Sequence, residues 1–308
     1  IFITWRTTLF IFLFLAMSIV PLQMHFIGGG LDNYLSRPHF WAWSNFDGEH
    51  YSNIAQNGYG YLEHAFFPLY PFSMRYIGEL FGGDLADFNL AGLLISNSAF
   101  FVGLIGLMRL IRLDHKKEIA HTAILLILLF LASYCFVSVY TESTFLAFSV
   151  WSFYLARRKK WLKAGILGML ASNTRFLGIL LLPALFIEFV QEEGFKNLKK
   201  ALPLFIIPLG LFYFMYFLNV TEGDPLKFIK VLPGYGEQRQ IDPVLLPQVF
   251  YRYIFKIIPD INYHFFPIVF TTYLEFMVAI IFGILSILLF FKSRLSYAIF
   301  GFGLYLVP

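Results

Sequence analysis

Residues Ala123 to Val139 read AILLILLFLASYCFVSV, an apolar run without one charged side chain. As a helix it extends roughly 25 Å at 1.5 Å per residue, most of a hydrocarbon slab about 30 Å thick. Basic residues precede it, Arg109, Arg112, Lys116 and Lys117, and further apolar runs lie at Phe176 to Val190 and Phe276 to Phe291, several of the runs being bounded by Lys and Arg. Across 308 residues, 58% are hydrophobic and only 14% charged, where a soluble domain carries about a quarter charged. The chain therefore reads as an all-α polytopic membrane protein. The single cysteine, Cys135, lies inside the opening run, which rules out a disulfide framework and a cysteine-based metal site. The net charge of +4 does not point to nucleic acid, because the basic residues collect at the ends of apolar runs and form no stripe. The first apolar run lacks a small-residue cleavage pattern and is read as a retained helix.

Working outward from that run, helices are expected near 7–27, 88–110, 118–140, 142–156, 161–174, 176–190, 201–219, 270–291 and from 295 onward. Three basic clusters orient them: Arg109 to Lys117; Arg157, Arg158, Lys159, Lys160 and Lys163; and Lys196, Lys199 and Lys200. Such clusters mark cytoplasmic turns. With the last two on one side, the segment 161–190 crosses twice, which places an outward hairpin tip at Asn173, Thr174 and Arg175. The same orientation puts two long segments outside, 28–87 and 221–268, and the whole chain, 1–308, reads as one transmembrane domain. Phe66 to Leu80 is apolar but interrupted by Pro68, Pro71 and Arg75, so it is expected as an interfacial or re-entrant piece.

Long loops concentrate function, and the first contains Trp43 to Tyr59, WSNFDGEHYSNIAQNGY. A helix starting near Asn45 places Asp47, His50 and Tyr51 on one face and Glu49 on another with Asn53. The structural alternative is that Ser44 and Asp47 form a capping box. Tyr140 to Ser143 turns the chain at the outer end of two helices, with Thr141 as its cap. Arg175 interrupts apolar sequence, where a charge needs a partner or a wet cavity; Glu142 and a lipid phosphate are the two options. Lys227 and Arg239 in the second outer loop are further phosphate-binding candidates, or solvated cations. No His-x-x-x-His pair, GxxxxGK loop or Gly-x-Ser-x-Gly elbow is present, so metallohydrolase, ATPase and serine-hydrolase readings lack their motifs.

Asp47-Gly48-Glu49-His50-Tyr51, Ile54-Ala55, Gly58-Tyr59 and Phe66-Phe67-Pro68-Leu69-Tyr70-Pro71 together resemble the PIG-V-like mannosyltransferases. Tyr140 to Ser143, Ser172 to Gly178 and Gly223 to Phe228 are similar to that family's later motifs, in the same order. The resemblance implies a GT-C glycosyltransferase bundle of about nine or more transmembrane helices. It also implies a polyprenyl-phosphate-mannose donor and an inverting transfer on the extracytoplasmic side; no cofactor and no metal-ligating residue is assigned, and a metal requirement is left open. The family's first-loop acid falls on Asp47. Gly234-Tyr235-Gly236 departs from the Trp-Gly of many relatives, and the chain ends at Pro308 before the family's Pro-Arg-Tyr stretch, so further C-terminal helices are expected. The length resembles prokaryotic members, which implies a prokaryotic cell membrane and an acceptor other than a GPI precursor.

The chemistry agrees with the residues. Inverting transfer needs one carboxylate to take the acceptor hydroxyl's proton and donors that stabilise the departing phosphate. Asp47 is assigned the first role; His50, Tyr51, Glu142, Arg175, Lys227 and Arg239 are assigned to substrate binding. The acceptor, whether glycan, lipid or protein, is left open. Because the phosphate stays on its lipid, the site is expected at membrane level, with Phe66 to Tyr76 walling a groove for the chain. A transporter or flippase for a lipid-linked or anionic substrate, and an inactive scaffold of the same fold, are the alternatives.

Overall fold

The computed structural model describes residues 1–22, 25–235 and 246–306. Among these, every regular element is helical. In chain order the α-helices are α1 (Phe2–Ile19), α2 (Gly30–Ser36), α3 (Pro38–Trp41), α4 (Asp47–Asn57), α5 (Leu69–Glu79), α6 (Leu85–Ile111), α7 (Lys117–Leu129) and α8 (Glu142–Arg157). They continue with α9 (Trp161–Ser172), α10 (Leu181–Glu193), α11 (Leu209–Glu222), α12 (Lys227–Lys230), α13 (Leu246–Arg252), α14 (Phe266–Lys292) and α15 (Leu295–Leu306).

Four helical stretches are long and apolar enough to cross a membrane: α1, α6, Phe195–Glu222 and α14. A fifth is reached if α7 and the 3₁₀ segment Leu131–Val137 count as one bent span. Their uncovered side chains are those lipid tolerates and water does not, such as Phe12 and Phe14 on α1 and Ile284, Leu285 and Phe291 on α14. The chain is an integral membrane protein of the helical class. The runs 142–156 and 161–174 form α8 and α9, of 16 and 12 residues, while 176–190 divides into a 3₁₀ turn, Phe176–Leu180, and α10.

The 118–140 run is not one straight helix. It bends by 89° after Leu129, where Phe130 is extended and Ser133 Oγ donates to the Leu128 carbonyl at 3.0 Å. Asn97 Nδ2 on α6 holds the far end through the Val137 carbonyl at 3.3 Å. Polar side chains thus satisfy the carbonyls that the break releases.

The described chain divides into two compact units, Ile1–Ile179 with Leu202–Val231 and Leu180–Ala201 with Leu232–Pro308. In the first, α6 begins with a reciprocal capping box between Asp84 and Asp87 and packs along α8. A side chain at Gly106 would meet the Trp151 ring at 2.7 Å, so glycine sets how close the two helices lie. Arg157 forks onto Asp114, Nη1 to Oδ2 at 2.5 Å and Nη2 to Oδ1 at 2.7 Å. The first two basic clusters therefore lie at one end of α6 and α8, as one cytoplasmic face requires. In the second unit, Tyr305 Oη donates to the Ala279 carbonyl at 3.0 Å and joins α15 to α14, while Arg294, between those helices, pairs with Glu188 of α10.

Candidate active site

At the other end of α6 and α8, the first loop and the turn before α8 are joined by backbone. The Val139 N–H donates to the Trp43 carbonyl at 2.8 Å, and Tyr140 Oη to the Asn45 carbonyl at 2.9 Å. Ser44 Oγ donates to Asn89 Oδ1 of α6. The Ser44–Asp47 capping box is therefore absent: Ser44 is committed elsewhere, α4 begins behind Phe46, and no side chain caps it. Phe46 has φ 56° and ψ −119°, a region that costs a bulky residue about 1–3 kcal/mol. Its N–H donates to the Phe26 carbonyl at 2.9 Å. This strained corner turns the chain so that Asp47 occupies the first turn of α4, exposed at the helix end.

One turn on, Tyr51 is buried with Oη 3.3 Å from Thr141 Oγ1. Thr141 is the N-cap residue of α8 by position, but its side chain faces Tyr51 and makes no cap hydrogen bond. Tyr51 packs edge-on against Phe66 and Tyr70. Tyr70 Oη lies 2.7 Å from Ser96 Oγ, which donates to the Tyr140 carbonyl at 3.1 Å. The residues of the Phe66 to Pro71 motif thus brace both α4 and the Tyr140 turn. This segment forms the short helix α5, eleven residues long and well under a membrane span.

The hairpin completes the cluster. Arg175 Nη1 donates to Glu142 Oε1 at 2.7 Å, and Asp47, Tyr51 and Glu142 all act electrostatically on Arg175. The guanidinium side chain is 40% exposed, and this is its single hydrogen bond among the described residues, one of five possible N–H donors. Glu142 Oε2 is buried and has no hydrogen-bond partner among the described residues. Asp47, Tyr51, Glu142 and Arg175 therefore gather from three separate parts of the sequence. Among the described residues no group of three His, Cys, Asp or Glu side chains is arranged to hold a metal ion.

His50 is placed differently from Asp47's other neighbours. Its ring stacks on Phe66 at 5.0 Å, and its Nδ1 is 3.6 Å from Glu63 Oε1. Glu63 also accepts from Asn53 Nδ2 and from the Gly60 N–H, each at 2.7 Å. Asn53 accordingly belongs with His50, and Glu49 lies within reach of both His50 and Glu63; the separation of Glu49 and Asn53 onto another face is not kept. Burial would push the Glu63 carboxyl up, but His50, Asn53 and the Gly60 N–H outweigh it and hold the group below its ordinary value. Burial pushes the Glu49 carboxyl up, opposed by His50 and assisted by Glu63.

Sequence reading passed over Glu63 and His64, both buried. His64 stacks on Tyr59, and its Nε2 approaches Glu222 Oε1 at 3.2 Å, tying the first loop to the end of α11. The available signal was an adjacent acid and imidazole in an otherwise aromatic stretch, Gly58 to Phe67. Lys227 opens α12 within electrostatic reach of Asp224, whose carboxylate accepts from Lys230 Nζ at 2.6 Å. Its neighbour Phe228 packs on Phe67 and on Phe176 of the hairpin. Arg239 lies outside the described residues.

An acid, a paired arginine and buried tyrosines thus lie at one end of α6 and α8 in a helical membrane protein. The family comparison identifies the class: the model for "Mannosyltransferase (PIG-V)" matches residues 13–218, and the chain belongs to that family. It is thus a glycosyltransferase of the mannosyl-transferring kind, with a sugar donor and an acceptor as substrates. No curated protein and no solved structure matches the chain.

Proposed function

We propose that this protein transfers mannose from a polyprenyl-phosphate-linked donor to an acceptor hydroxyl, with inversion, on the extracytoplasmic side of a prokaryotic cell membrane. The observation that supports it most is that Asp47, at the strained start of α4, lies within electrostatic reach of Arg175, which is paired with Glu142. Asp47 is the general base that takes the acceptor's proton. Arg175 keeps its contact with Glu142 and offers its remaining N–H donors to the donor phosphate as negative charge develops there. Tyr51 and Glu142 line the sugar side, and His50, held by Glu63 and Phe66, stands one turn from the base. Lys227 is assigned to substrate binding from the second outer loop, and Arg239, by sequence alone, to the same role. The bundle is of the GT-C kind, in which the shorter helices α8, α9, α10 and α15 join the longer spans to make about nine crossings.

Asp47→Asn keeps the size of the side chain but cannot take a proton, so mannosyl transfer should fall by about 10² or more while the variant stays folded and inserted. Activity within about tenfold of wild type removes Asp47 from the role of base. Sidedness is tested separately. Cysteines introduced at Lys159 and Lys199 should react only from the cytoplasmic face and one at Gly234 only from outside; labelling of Gly234 from the cytoplasm overturns the orientation.

A further inference from the structure

Arg6 is a permanent cation on the face of α1 that packs on the bundle, in the same row as Phe2, Trp5, Leu9, Phe10 and Leu13. Because α1 is long and apolar enough to cross a membrane, a charge within it is costly and marks a function by default. Arg6 Nη1 is buried and has no hydrogen-bond partner among the described residues. What the guanidinium does touch is aromatic: its carbon lies 3.9 Å from the centre of the Trp43 ring and 4.5 Å from that of Phe10. Phe10 meets the same Trp43 ring edge-on. No residue of α1 is itself buried, so these contacts and the bond from Trp5 Nε1 to the Leu128 carbonyl at 2.6 Å are where α1 bears on its neighbours.

Trp43 is buried and opens the corner that ends at Asp47. Each residue of that corner is tied down in turn. The Trp43 carbonyl accepts from the Val139 N–H at 2.8 Å, Ser44 Oγ donates to Asn89, Asn45 Oδ1 accepts from the Gly28 N–H at 3.0 Å, and the Phe46 N–H donates to the Phe26 carbonyl at 2.9 Å. A bulky residue at positive φ, as Phe46 is, persists only where its surroundings over-determine it. We propose that Arg6 is a positioning residue for Asp47: stacked on Trp43, it clamps the start of the corner and so fixes where α4 presents its first carboxylate. The proposal rests on the reading of Asp47 as the base and adds the group that holds the base in place. An alkyl side chain would fill the same space without bringing a charge into the membrane, but a guanidinium over an aromatic face adds an electrostatic attraction that grows as water is excluded.

The test uses the full chain in membranes and follows mannose from undecaprenyl-phosphate-mannose to the acceptors those membranes contain. Arg6→Met removes the charge and keeps an unbranched side chain. If Arg6 only filled space, losing a buried cation without a partner would leave turnover as it was and would not lower the melting temperature. As a positioning residue, Arg6→Met should lower turnover at saturating donor by about tenfold, equivalent to 1.4 kcal/mol, with donor KM and melting temperature unchanged. Arg6→Lys, which keeps a cation over the ring, should restore part of the loss. The Val139 amide should exchange its hydrogen faster in Arg6→Met, because the Trp43 carbonyl that accepts from it is no longer clamped. In an Asp47→Asn background Arg6→Met should cost nothing further, since groups that act as a unit are not additive. Wild-type turnover in Arg6→Met overturns the assignment, as does a further tenfold loss in the Asp47→Asn background. A raised donor KM at unchanged turnover gives the cation to the donor and overturns it too. Arg6→Gln is the second variant, neutral but polar; it should lose turnover alike, and if Arg6→Met does not insert, wild-type turnover in Arg6→Gln overturns the assignment by itself. If Asp47→Asn retains transfer while Arg6→Met still frees the Val139 amide, the base reading fails and the clamp on Trp43 stands. If Asp47→Asn is inactive and Arg6→Met matches wild type in turnover and exchange, only the clamp fails.

Discussion

Arg175 and Arg294 each stand at a break between helices and each pair with glutamate, yet the two pairs are built differently. Arg294 contacts Glu188 through Nε at 3.2 Å and Nη2 at 2.9 Å, and Glu192 through Nη2 at 2.7 Å. Ser296 Oγ donates to the same Glu188 carboxylate, whose side chain has no exposed surface. The Arg175 side chain makes one hydrogen bond among the described residues, to Glu142, and remains 40% exposed. The difference shows what each charge is for. A buried ion must be surrounded by partners or it destabilises the fold, and the Arg294 cluster meets that demand between α10 and α15. The Arg175 pair is positioned by one contact and keeps donors in hand, which suits a group that meets a substrate anion.

The largest effect should come from the more deeply buried pair. Arg294→Met leaves Glu188 buried without its cation, and removing one partner of such a pair costs about 3–5 kcal/mol. The expected result is a large fall in melting temperature, with prenyl phosphate affinity kept in the fraction that remains folded. A variant as stable as wild type would mean that Ser296 alone suffices to hold Glu188, and the contrast between the two pairs would lose its basis.

Arg175→Lys should invert that pattern. Lysine keeps the charge but replaces a planar fork by a point charge, so transfer should fall about tenfold or more, equivalent to 1.4 kcal/mol of binding, with little change in melting temperature. Glu142→Gln provides the control, since Glu142 is half-buried and carries the contact with Arg175. If Arg175→Lys retains donor affinity while Glu142→Gln lowers the melting temperature, the contact is a structural tie and the phosphate role is lost.

Much of this contrast was legible in the sequence, and the unread part has physical reasons. Arg175 stood out because a permanent cation interrupts apolar sequence, and Glu142 was one of its two expected partners. Glu188 meets the same criterion inside the run Phe176 to Val190, but attention to its overall hydropathy hid it. Arg294, beside Lys292, read as one more topology signal. Helix positions followed from apolar runs, whereas the 89° bend after Leu129 did not, because Leu125 to Phe130 is uniformly apolar and the break is held by Ser133 and by Asn97 from another helix. Helical periodicity grouped Asp47, His50 and Tyr51, whereas the structure sets His50 against Glu63 and Phe66 and Tyr51 against Thr141. Glu63 was missed because it meets His50 and Asn53 only through the folding of the Gly58 to Ala65 loop, which periodicity does not describe. Phe46 gave no signal either, since a positive φ in a phenylalanine is imposed by its surroundings.

The smallest expected effect compares two neighbouring carboxylates in that first loop, Glu63 and Glu49, which burial and hydrogen bonding drive in opposite directions. Glu63 is held below its ordinary value of 4.5. Its contribution to stability is therefore present above that value and lost as pH falls through the lower folded value. Glu49 is raised above 4.5, so its favourable contribution exists below the ordinary value and disappears as pH rises through the folded one, leaving a partly buried carboxylate as a penalty near neutrality. At pH 7, Glu63→Gln should lower stability and Glu49→Gln should raise it, each by a small amount because solvent screens these partly exposed groups. Melting temperatures measured from about pH 7 down to about pH 3 should then converge on wild type at the acid end for both variants, since all three chains carry uncharged groups there. Glu63 is the residue that accepts from Asn53 and Gly60 and faces His50, so the same melting curves report whether that arrangement is held by charge. Parallel losses in the two variants at neutral pH would show that both side chains act through packing, and the electrostatic account of how His50 is held beside Asp47 would have to be given up.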